Sequence, residues 1–264
     1  MKIKAVVAVK DSLSQQDVGG ILSYFKDYFE LYSVQDLPYV NKVDSYRIIE
    51  NEGVSVAITI GGDGTLLGLS RYLPEHVEVI GINMGGRGIL AQIDKSKVSE
   101  LVESYLSKDY IIEKRMRLKA KISGVETVNV LNEFYIQRAN FNQTPYFKVY
   151  VQGLFEFRER MDGVIVSTPS GSTGYNYSNK GPVVEQDLEA YIINPVMPLK
   201  PLPSFVIKPK ELHIESSYHA YMIADGQLRY EILPNEEITI FKGDYLSLVK
   251  LKTSKSQLQK IIET

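Results

Sequence analysis

Residues 59–65, Thr-Ile-Gly-Gly-Asp-Gly-Thr, place a single carboxylate, Asp63, among three glycines. A β-branched apolar run precedes this segment and an apolar run at helical spacing follows it, which predicts a strand, a turn and a helix. Glycines let a phosphate approach the backbone, and the start of a helix attracts anions. Because a carboxylate repels an anion, we interpret Asp63 as a residue that holds a cation or takes a proton from an attacking hydroxyl. The alternative is a tight turn in which Asp63 only caps the helix.

Three more clusters lie in the second half of the chain. Asn132 and Glu133 end a predicted strand, and such a pair can bind base edges and ribose hydroxyls, although an exposed turn is an equal alternative. Residues 160–176 join a charged turn, a buried strand and a loop with four hydroxyls and two glycines. That loop suits a ribose or pyrophosphate bound by backbone groups, or else is an ordinary turn. Residues 224–227, Ala-Asp-Gly-Gln, have the form of a β-hairpin turn.

Composition removes several classes of protein. The chain has 264 residues, of which 44% are hydrophobic, enough for one large or two ordinary domains. Its net charge of −2, with both signs interspersed, argues against a nucleic-acid partner. The absence of cysteine excludes disulfides, thiolate zinc sites and a cysteine nucleophile. No apolar run approaches the ~18 residues of a membrane span, so we expect a cytoplasmic protein without a membrane partner.

The chain lacks three well-known motifs, which argues against further classes of protein. The chain has no Gly-x-Ser-x-Gly and only three histidines, none near these clusters, so a serine hydrolase is hard to assemble. It also has no Gly-x-x-x-x-Gly-Lys-Ser/Thr phosphate loop and no Gly-x-Gly-x-x-Gly after a strand. A Walker-type nucleotide site is excluded and a dehydrogenase loses its main support.

The predicted elements divide the chain in two. Strands at 3–9, 34–36, 54–60 and 77–83 alternate with helices at 12–29, 46–51, 66–73 and 94–107, which predicts a Rossmann-like α/β domain with a parallel sheet over residues 1–110. Residues 111–247 are mainly strands and predict a β-sandwich domain. A helix at 254–263 is expected to return residues 248–264 to the first domain.

Four basic residues alternate with apolar ones at the start of the β half: Arg115, Arg117, Lys119 and Lys121. We interpret them as the solvated face of a strand, with a phosphate-binding surface as the alternative.

Together, the segments at 61–65, 132–133, 162–173 and 225–227 resemble the NAD kinases in order and spacing, over nearly the whole chain. The first segment is shared with lipid kinases and, more loosely, phosphofructokinases, whereas Ser-Thr-Pro-Ser-Gly-Ser-Thr singles out NAD kinases. The resemblance implies a phosphotransferase that uses ATP, another nucleoside triphosphate or polyphosphate to phosphorylate the 2′-hydroxyl of the adenosine ribose of NAD. It also implies Mg²⁺ or another divalent cation, with no metal ligands assigned in the chain, and a homodimer or homotetramer.

The same resemblance assigns site residues. Asp63 would be the general base and, with Gly64, would face the substrates. The dinucleotide would be held by Asn132, Glu133, Arg160, Asp162, Ser170, Thr173, Gly174, Tyr175, Asn176, Tyr177, Ser178 and Gln227. The chain departs from the family pattern at Gly174, where alanine is common, and at residues 85–90, where Arg87 is displaced by one position.

Two other functions stay open at this point. A lipid kinase could share the Asp63 turn, but it needs an apolar acceptor pocket or a membrane-facing surface, and no segment resembles an interfacial helix. A dinucleotide-binding regulator that has lost its chemistry is the non-enzyme alternative, and the intact Asp63 and glycines argue against it.

Overall fold

The computed structural model describes residues 2–86 and 88–263. The chain divides into two compact units, Met1–Lys114 with Leu246–Thr264 and Arg115–Tyr245. Two strands, β7 (Ile111–Ile122) and β18 (Glu237–Lys250), contribute residues to both units.

The first unit is an α/β fold with a parallel sheet. Its other strands and helices are β1 (Ile3–Val9), α1 (Gln15–Phe25), β2 (Phe29–Ser33), β3 (Asn41–Lys42), α2 (Ile48–Asn51), β4 (Val56–Gly61), α3 (Asp63–Ser70), β5 (Glu78–Asn83), β6 (Ile93–Asp94), α4 (Val98–Leu106) and α6 (Gln257–Ile262). Strand β1 pairs in parallel with β2 and β4, and β4 pairs in parallel with β5. All six residues of β4 are buried, as expected for a strand covered on both faces.

Local chemistry explains where the elements begin. The Ser14 side chain accepts the N–H of Asp17 and starts α1, whose inner face carries Val18, Leu22 and Phe25. This helix is shorter than the expected 12–29, since Phe29 already belongs to β2. The strand expected at 34–36 is therefore wrong in position: buried and half-buried side chains alternate along Phe29–Ser33 instead.

The second unit is a β-sandwich. Its remaining elements are β8 (Val125–Glu126), β9 (Glu133–Arg138), β10 (Tyr146–Val151), β11 (Phe155–Arg160), β12 (Gly163–Ser167), α5 (Tyr175–Ser178), β13 (Tyr191–Val196), β14 (Phe205–Ile207), β15 (Leu212–Ser216), β16 (Ala220–Ala224) and β17 (Leu228–Ile232). One antiparallel sheet has the order β14-β13-β12-β9-β16-β17. In the other, β10 pairs antiparallel with β11 and β15, and β15 with β18. Side chains from both sheets share one core, for example Phe134 and Val166 with Phe147 and Ile214.

The sequence pattern did not reveal strands β9, β11, β13 and β17. In β13, Asn194 and Pro195 interrupt the apolar run, yet every residue of this strand is buried. The strand expected at 127–131 contributes only an isolated bridge between Leu118 and Val130.

The interpretation of the basic residues in β7 as a solvated face is wrong for two of them, because Arg115 and Arg117 are fully buried. Arg115 Nη1 donates to Ser170 Oγ at 3.0 Å, and Arg117 forms a 2.5 Å ion pair with Asp244. A buried guanidinium requires such partners. Lys121, farther along the strand, is exposed as expected.

No helix in the described part of the chain has the length and apolar character needed to span a membrane.

Candidate active site

Asp63 is the first residue of α3, and its carboxylate is held by the chain that follows β5. Oδ2 accepts the backbone N–H of Ile89 at 3.1 Å, while Oδ1 accepts those of Leu90 and Ala91 at 3.0 and 2.9 Å. The N-cap of α3 is Gly62, and no side chain caps this helix. Asp63 is therefore not a simple helix cap. Its carboxylate lies at the edge where the carboxyl ends of β4 and β5 meet, the place where ligands bind in open α/β sheets.

The three backbone N–H groups occupy only part of the hydrogen-bonding capacity of the Asp63 carboxylate. A carboxylate has about four acceptor directions, of which these N–H groups take two on Oδ1 and one on Oδ2. None of the described residues takes the remaining direction on Oδ2. The side chain is half-buried, so it is positioned by the protein but reachable from solvent.

The glycines around Asp63 have different functions. A Cβ at Gly61 would lie 3.0 Å from Lys10 Cβ and even closer to the Thr65 hydroxyl, so Gly61 is required by packing. A Cβ at Gly62 would meet nothing within 4 Å, so the backbone of Gly62 faces open space. This exposed backbone is what the sequence predicted for a phosphate site.

An open cavity of about 590 Å³ adjoins the glycine turn within the first unit. Lys10 and Asp11 are the charged residues in its lining. The other lining residues are Ala8, Val9, Val34, Gln35, Tyr46, Gly62, Gly64, Thr65, Gly68 and Leu69. The cavity thus combines a glycine-rich floor and an ammonium group with an apolar and aromatic wall.

Gln35 fixes one side of this cavity. Its Oε1 accepts the backbone N–H of Val9 at 2.8 Å, and its Nε2 donates to Val9 O at 2.8 Å and to Asp11 Oδ1 at 2.9 Å. Sequence reasoning missed Lys10, Asp11 and Gln35. A signal was present, because Lys10 follows β1 just as the Asp63 turn follows β4, and neighbouring parallel strands bring their carboxyl ends together.

In the second unit, Asp225 organises the Asn132–Glu133 segment. Its carboxylate accepts the backbone N–H groups of Leu131, Asn132 and Glu133 at 3.0, 2.8 and 3.2 Å. Asp225 N–H in turn donates to Glu133 O at 3.0 Å. Asp225 is buried and has a φ of +48°, which the following Gly226 at +66° continues. The hairpin predicted at 224–227 is present, but the importance of Asp225 was missed because its partners are 92–94 residues away.

The loop at 168–178 packs directly on the same segment. Asn132 O accepts the N–H of Thr168 at 2.9 Å and the Ser167 hydroxyl at 3.1 Å. A Cβ on Gly171 would come within 2.6 Å of Asn132 Cα, so only glycine fits there. The structure thereby brings together six of the predicted binding residues: Asn132, Glu133, Ser170, Thr173, Gly174 and Tyr175.

Three neighbouring predicted residues differ in accessibility. Asn176 is fully buried; its Nδ2 donates to Ser172 O and Pro182 O, both at 3.0 Å, and its Oδ1 accepts from Asn194 at 3.0 Å. Its amide is occupied by the protein, which makes it a residue that positions the loop. Tyr177 and Ser178 are exposed.

The remaining predicted residues are Gln227, Asp162 and Arg160. Gln227 N–H closes the hairpin by donating to Ala224 O at 3.0 Å. Asp162 forms a 3.1 Å ion pair with Arg138, and Arg160 Nε donates to Thr144 O at 3.2 Å. Ser167 of β12 pairs with Glu133, whereas Asp162 precedes the opposite end of that strand, roughly 16 Å away at about 3.3 Å per residue. Asp162 thus lies beyond the end of β12 that is opposite to Ser167, and Arg160 lies two residues before it. Arg87 lies outside the described residues.

The pKa of the Glu133 carboxyl group differs strongly from its usual value. Burial, followed by the charge of Asp225, raises its pKa to about 8, against the opposing effect of a backbone hydrogen bond from Tyr175. Its Oε2 has no hydrogen-bond partner among the described residues. A buried acid whose pKa is shifted in this way is a candidate functional group.

The described residues of the two candidate sites do not form a preformed metal-binding site. Among residues 2–86 and 88–263, no group of three or more His, Cys, Asp or Glu side chains is placed to hold a metal ion. At the glycine turn, the Asp63 oxygens already accept three N–H groups. This donor set suits Mg²⁺ only as a companion of substrate phosphates, the form in which the ion commonly binds.

An α/β unit with a carboxylate in a glycine turn, together with a β-sandwich unit with a buried acid and a polar loop, is the arrangement that the resemblance to a family of kinases implied. Family models for the ATP-NAD kinase N-terminal and C-terminal domains match residues 6–110 and 131–251. The chain belongs to the NAD kinase family, which confirms the resemblance and the predicted fold class.

Individual relatives agree with this assignment. The chain is 34% identical over 238 residues to an NAD kinase of Caldanaerobacter subterraneus subsp. tengcongensis, covering 82% of this chain and 84% of that one. It is 33% identical over 252 residues to a bifunctional NADP phosphatase/NAD kinase of Methanocaldococcus jannaschii, covering 92% of this chain but 44% of the relative. The chain thus spans less than half the length of that bifunctional protein.

Solved structures show the same fold. The crystal structure of an NAD kinase from Archaeoglobus fulgidus in complex with ATP superposes with a TM-score of 0.79 at 26% identity, covering 99% of this chain and 98% of that one. Yeast NADH kinase complexed with NADH gives a TM-score of 0.87 at 18% identity, covering 99% and 87%. At that identity the yeast structure supports the fold alone.

Proposed function

We propose that the chain transfers the terminal phosphoryl group of ATP to the 2′-hydroxyl of the adenosine ribose of NAD, giving NADP and ADP. Family membership supports the reaction. The single observation that carries the mechanism is the Asp63 carboxylate, which three amides fix and which has one acceptor direction on Oδ2 that no residue in the described part of the chain takes.

Asp63 acts as the general base in this proposal. The ribose 2′-oxygen attacks the terminal phosphorus, its proton passes to Asp63 Oδ2, and the bond from that phosphorus to the bridging oxygen breaks to release ADP. Phosphoryl transfer depends mostly on positioning and charge stabilisation. The bonds from Ile89, Leu90 and Ala91 supply the positioning of the base, since they fix both carboxylate oxygens.

The cavity of the first unit is the proposed donor site. The start of the eight-residue helix α3 offers partial positive charge to phosphates, and Lys10 offers a full one. A volume of about 590 Å³ lies within the usual range for small-molecule sites, and Tyr46 and Leu69 give a base an apolar wall. Mg²⁺ carried on the donor's phosphate oxygens would offset their charge.

The second unit provides the proposed dinucleotide-binding groups. Asn132 and Glu133 offer an amide and a carboxyl, and the adjoining loop adds Ser170, Thr173 and the small residue Gly174. The Tyr175 ring is exposed and lies 5.0 Å from the Tyr135 ring, which gives a base a surface on which to stack. Gln227, Arg160, Asp162, Tyr177 and Ser178 remain proposals from the family resemblance.

A cytoplasmic location is also part of the proposal, as is a homodimeric or homotetrameric state, which rests on the family resemblance. Sedimentation analysis of the purified chain tests the assembly directly.

A coupled assay for NADP tests the proposed reaction. The chain is incubated with NAD and, in parallel, with ATP, other nucleoside triphosphates or polyphosphate, and with diacylglycerol as an alternative acceptor. NADP formation with ATP is the expected result. Phosphorylation of diacylglycerol without NADP would indicate a lipid kinase, and NAD binding without turnover would indicate a regulator.

A further inference from the structure

Lys260 contacts the segment that holds the Asp63 carboxylate. It lies in α6, and its Nζ donates to the backbone oxygen of Gly88, which directly precedes the three residues that bind Asp63. Helix α6, Gly88 and Asp63 all belong to the first unit. The contact is therefore a feature of that unit alone.

A single peptide group connects Lys260 to Asp63. The oxygen of Gly88 and the N–H of Ile89 belong to the same trans peptide, in which these two groups point in opposite directions. The oxygen accepts from the Lys260 ammonium, and the N–H donates to Asp63 Oδ2 at 3.1 Å. The peptide dipole is thus aligned between a positive and a negative group. An ammonium on the oxygen polarises the peptide and strengthens the bond that the N–H makes.

The bond from Ile89 determines where Oδ2 lies. Leu90 and Ala91 both donate to Oδ1, so their bonds hold one oxygen and leave the other able to rotate about it. Ile89 donates to Oδ2, the oxygen that receives the proton in the proposed reaction. A rotation of the peptide between Gly88 and Ile89 would turn this N–H away from the carboxylate.

The residue at the start of this peptide is a glycine that no other residue can replace. Gly88 has a φ of +48°, and a Cβ there would collide with Ala91 O and Asn83 Nδ2. Glycine adopts several backbone conformations at little cost. The orientation of the peptide that follows Gly88 therefore depends on its hydrogen bonds, including the bond from Lys260.

Helix α6 positions the Lys260 side chain. Ser256 and Gln259 form a capping box at the start of this helix: Ser256 Oγ accepts the Gln259 N–H at 3.2 Å, and Gln259 Oε1 accepts the Ser256 N–H at 2.8 Å. Gln257 is fully buried, so the helix is packed against the rest of the first unit. The Lys260 side chain is half-buried, which restricts its motion.

We propose that Lys260 is a positioning residue for the Asp63 carboxylate. Its ammonium fixes the peptide between Gly88 and Ile89 so that the Ile89 N–H points at Oδ2, and this bond keeps Oδ2 oriented for proton transfer. The inference rests on the proposed function for the role of Asp63 as the base. The contact of Lys260 with the peptide is independent of that role.

Lys260→Met tests the proposal, because methionine is also unbranched but has no donor. The kcat for NADP formation should fall by about tenfold, within the roughly 10²-fold that a misplacement of about 1 Å can cost. The KM values for ATP and NAD should stay within about threefold of the wild type, since the change acts on the base and not on substrate binding. Lys260→Arg keeps a cationic donor and should restore most of the rate. The matched control is Lys255→Met, which removes an exposed ammonium paired with Glu263 and should leave the rate unchanged.

Two further measurements separate positioning from a general loss of stability. Amide hydrogen exchange, followed by NMR, should be about tenfold faster at Ile89 in Lys260→Met than in the wild type and unchanged in Lys255→Met. In a double-mutant cycle, Lys260→Met should change the single-turnover rate of Asp63→Asn by less than about twofold, because the carboxylate on which it acts is gone.

A wild-type kcat in Lys260→Met would overturn the proposal, as would an equal loss of rate with and without the Asp63 carboxylate. Unchanged exchange at Ile89 in Lys260→Met would overturn it as well. If Asp63→Asn turns over at the wild-type rate, or if the wild type forms no NADP, the proposed function fails. Exchange at Ile89 then decides by itself whether Lys260 fixes the peptide.

Discussion

Asp63 Oδ1 accepts the backbone N–H of Ala91 at 2.9 Å, across 28 residues of sequence. This bond joins the turn after β4 to the chain that follows β5. Together with the bonds from Ile89 and Leu90, it fixes the carboxylate to the backbone at the edge of the sheet, so that the side chain does not move freely. In the proposed role of general base, a carboxylate held in this way needs little reorganisation when a hydroxyl arrives, and such positioning lowers the barrier to phosphoryl transfer.

Lys10 should matter for the phosphoryl donor and not for the dinucleotide. Lys10→Gln removes the ammonium group that lines the cavity of the first unit. Hydrogen bonds to charged groups are worth about 1.5–3 kcal/mol, so the KM for ATP should rise by about 10- to 100-fold. Steady-state kinetics with each substrate varied in turn measure this, with the exposed Lys42→Gln as control. An equal rise in the KM for NAD would contradict the assignment of the cavity to the donor.

Gly171 should tolerate no side chain. Gly171→Ala would push its Cβ against the Asn132 backbone, and overpacking of this kind costs about 1–3 kcal/mol in the free energy of unfolding. NAD affinity should fall as well, because Asn132 and Glu133 would move. Gly20→Ala is the matched control: its Cβ meets nothing within 4 Å in α1, and alanine favours a helix over glycine by about 1 kcal/mol. Urea denaturation of both variants measures the difference, and similar stabilities would contradict the close contact seen here.

The stability of the fold should depend on pH through Glu133. Its pKa is 4.5 in a model peptide and about 8 in the folded protein, so the folded state holds the proton more tightly. The resulting stabilisation is fully present below pH 4.5 and is lost as the pH rises to about 8. Glu133→Gln should therefore remove this part of the decline in Tm between those pH values. Parallel thermal scans test the sign: a wild type whose Tm declines no more steeply than that of the variant over this range would be inconsistent with it.

The sequence could suggest both candidate sites because the residues of each are adjacent in the chain and follow strands. Asp63 and its glycines, Asn132–Glu133 and the loop after β12 all have this form. The sequence did not reveal the structural roles of Asp225 and Gln35. Each side chain binds backbone groups that are 26 or more residues away in the sequence. Arg115 was assigned to the wrong environment because a strict alternation of basic and apolar residues does not reveal that a strand is covered on both sides.

The most direct test of the central claim is single-turnover formation of NADP by Asp63→Asn at saturating NAD and ATP, with NAD affinity measured on the same sample. General-base catalysis typically contributes about 10²–10⁴ in rate, so turnover should fall by that factor while NAD affinity stays within a few-fold of the wild type. The exposed Asp187→Asn should behave as the wild type in both measurements. A near-wild-type rate in Asp63→Asn would contradict the assignment of this carboxylate as the base.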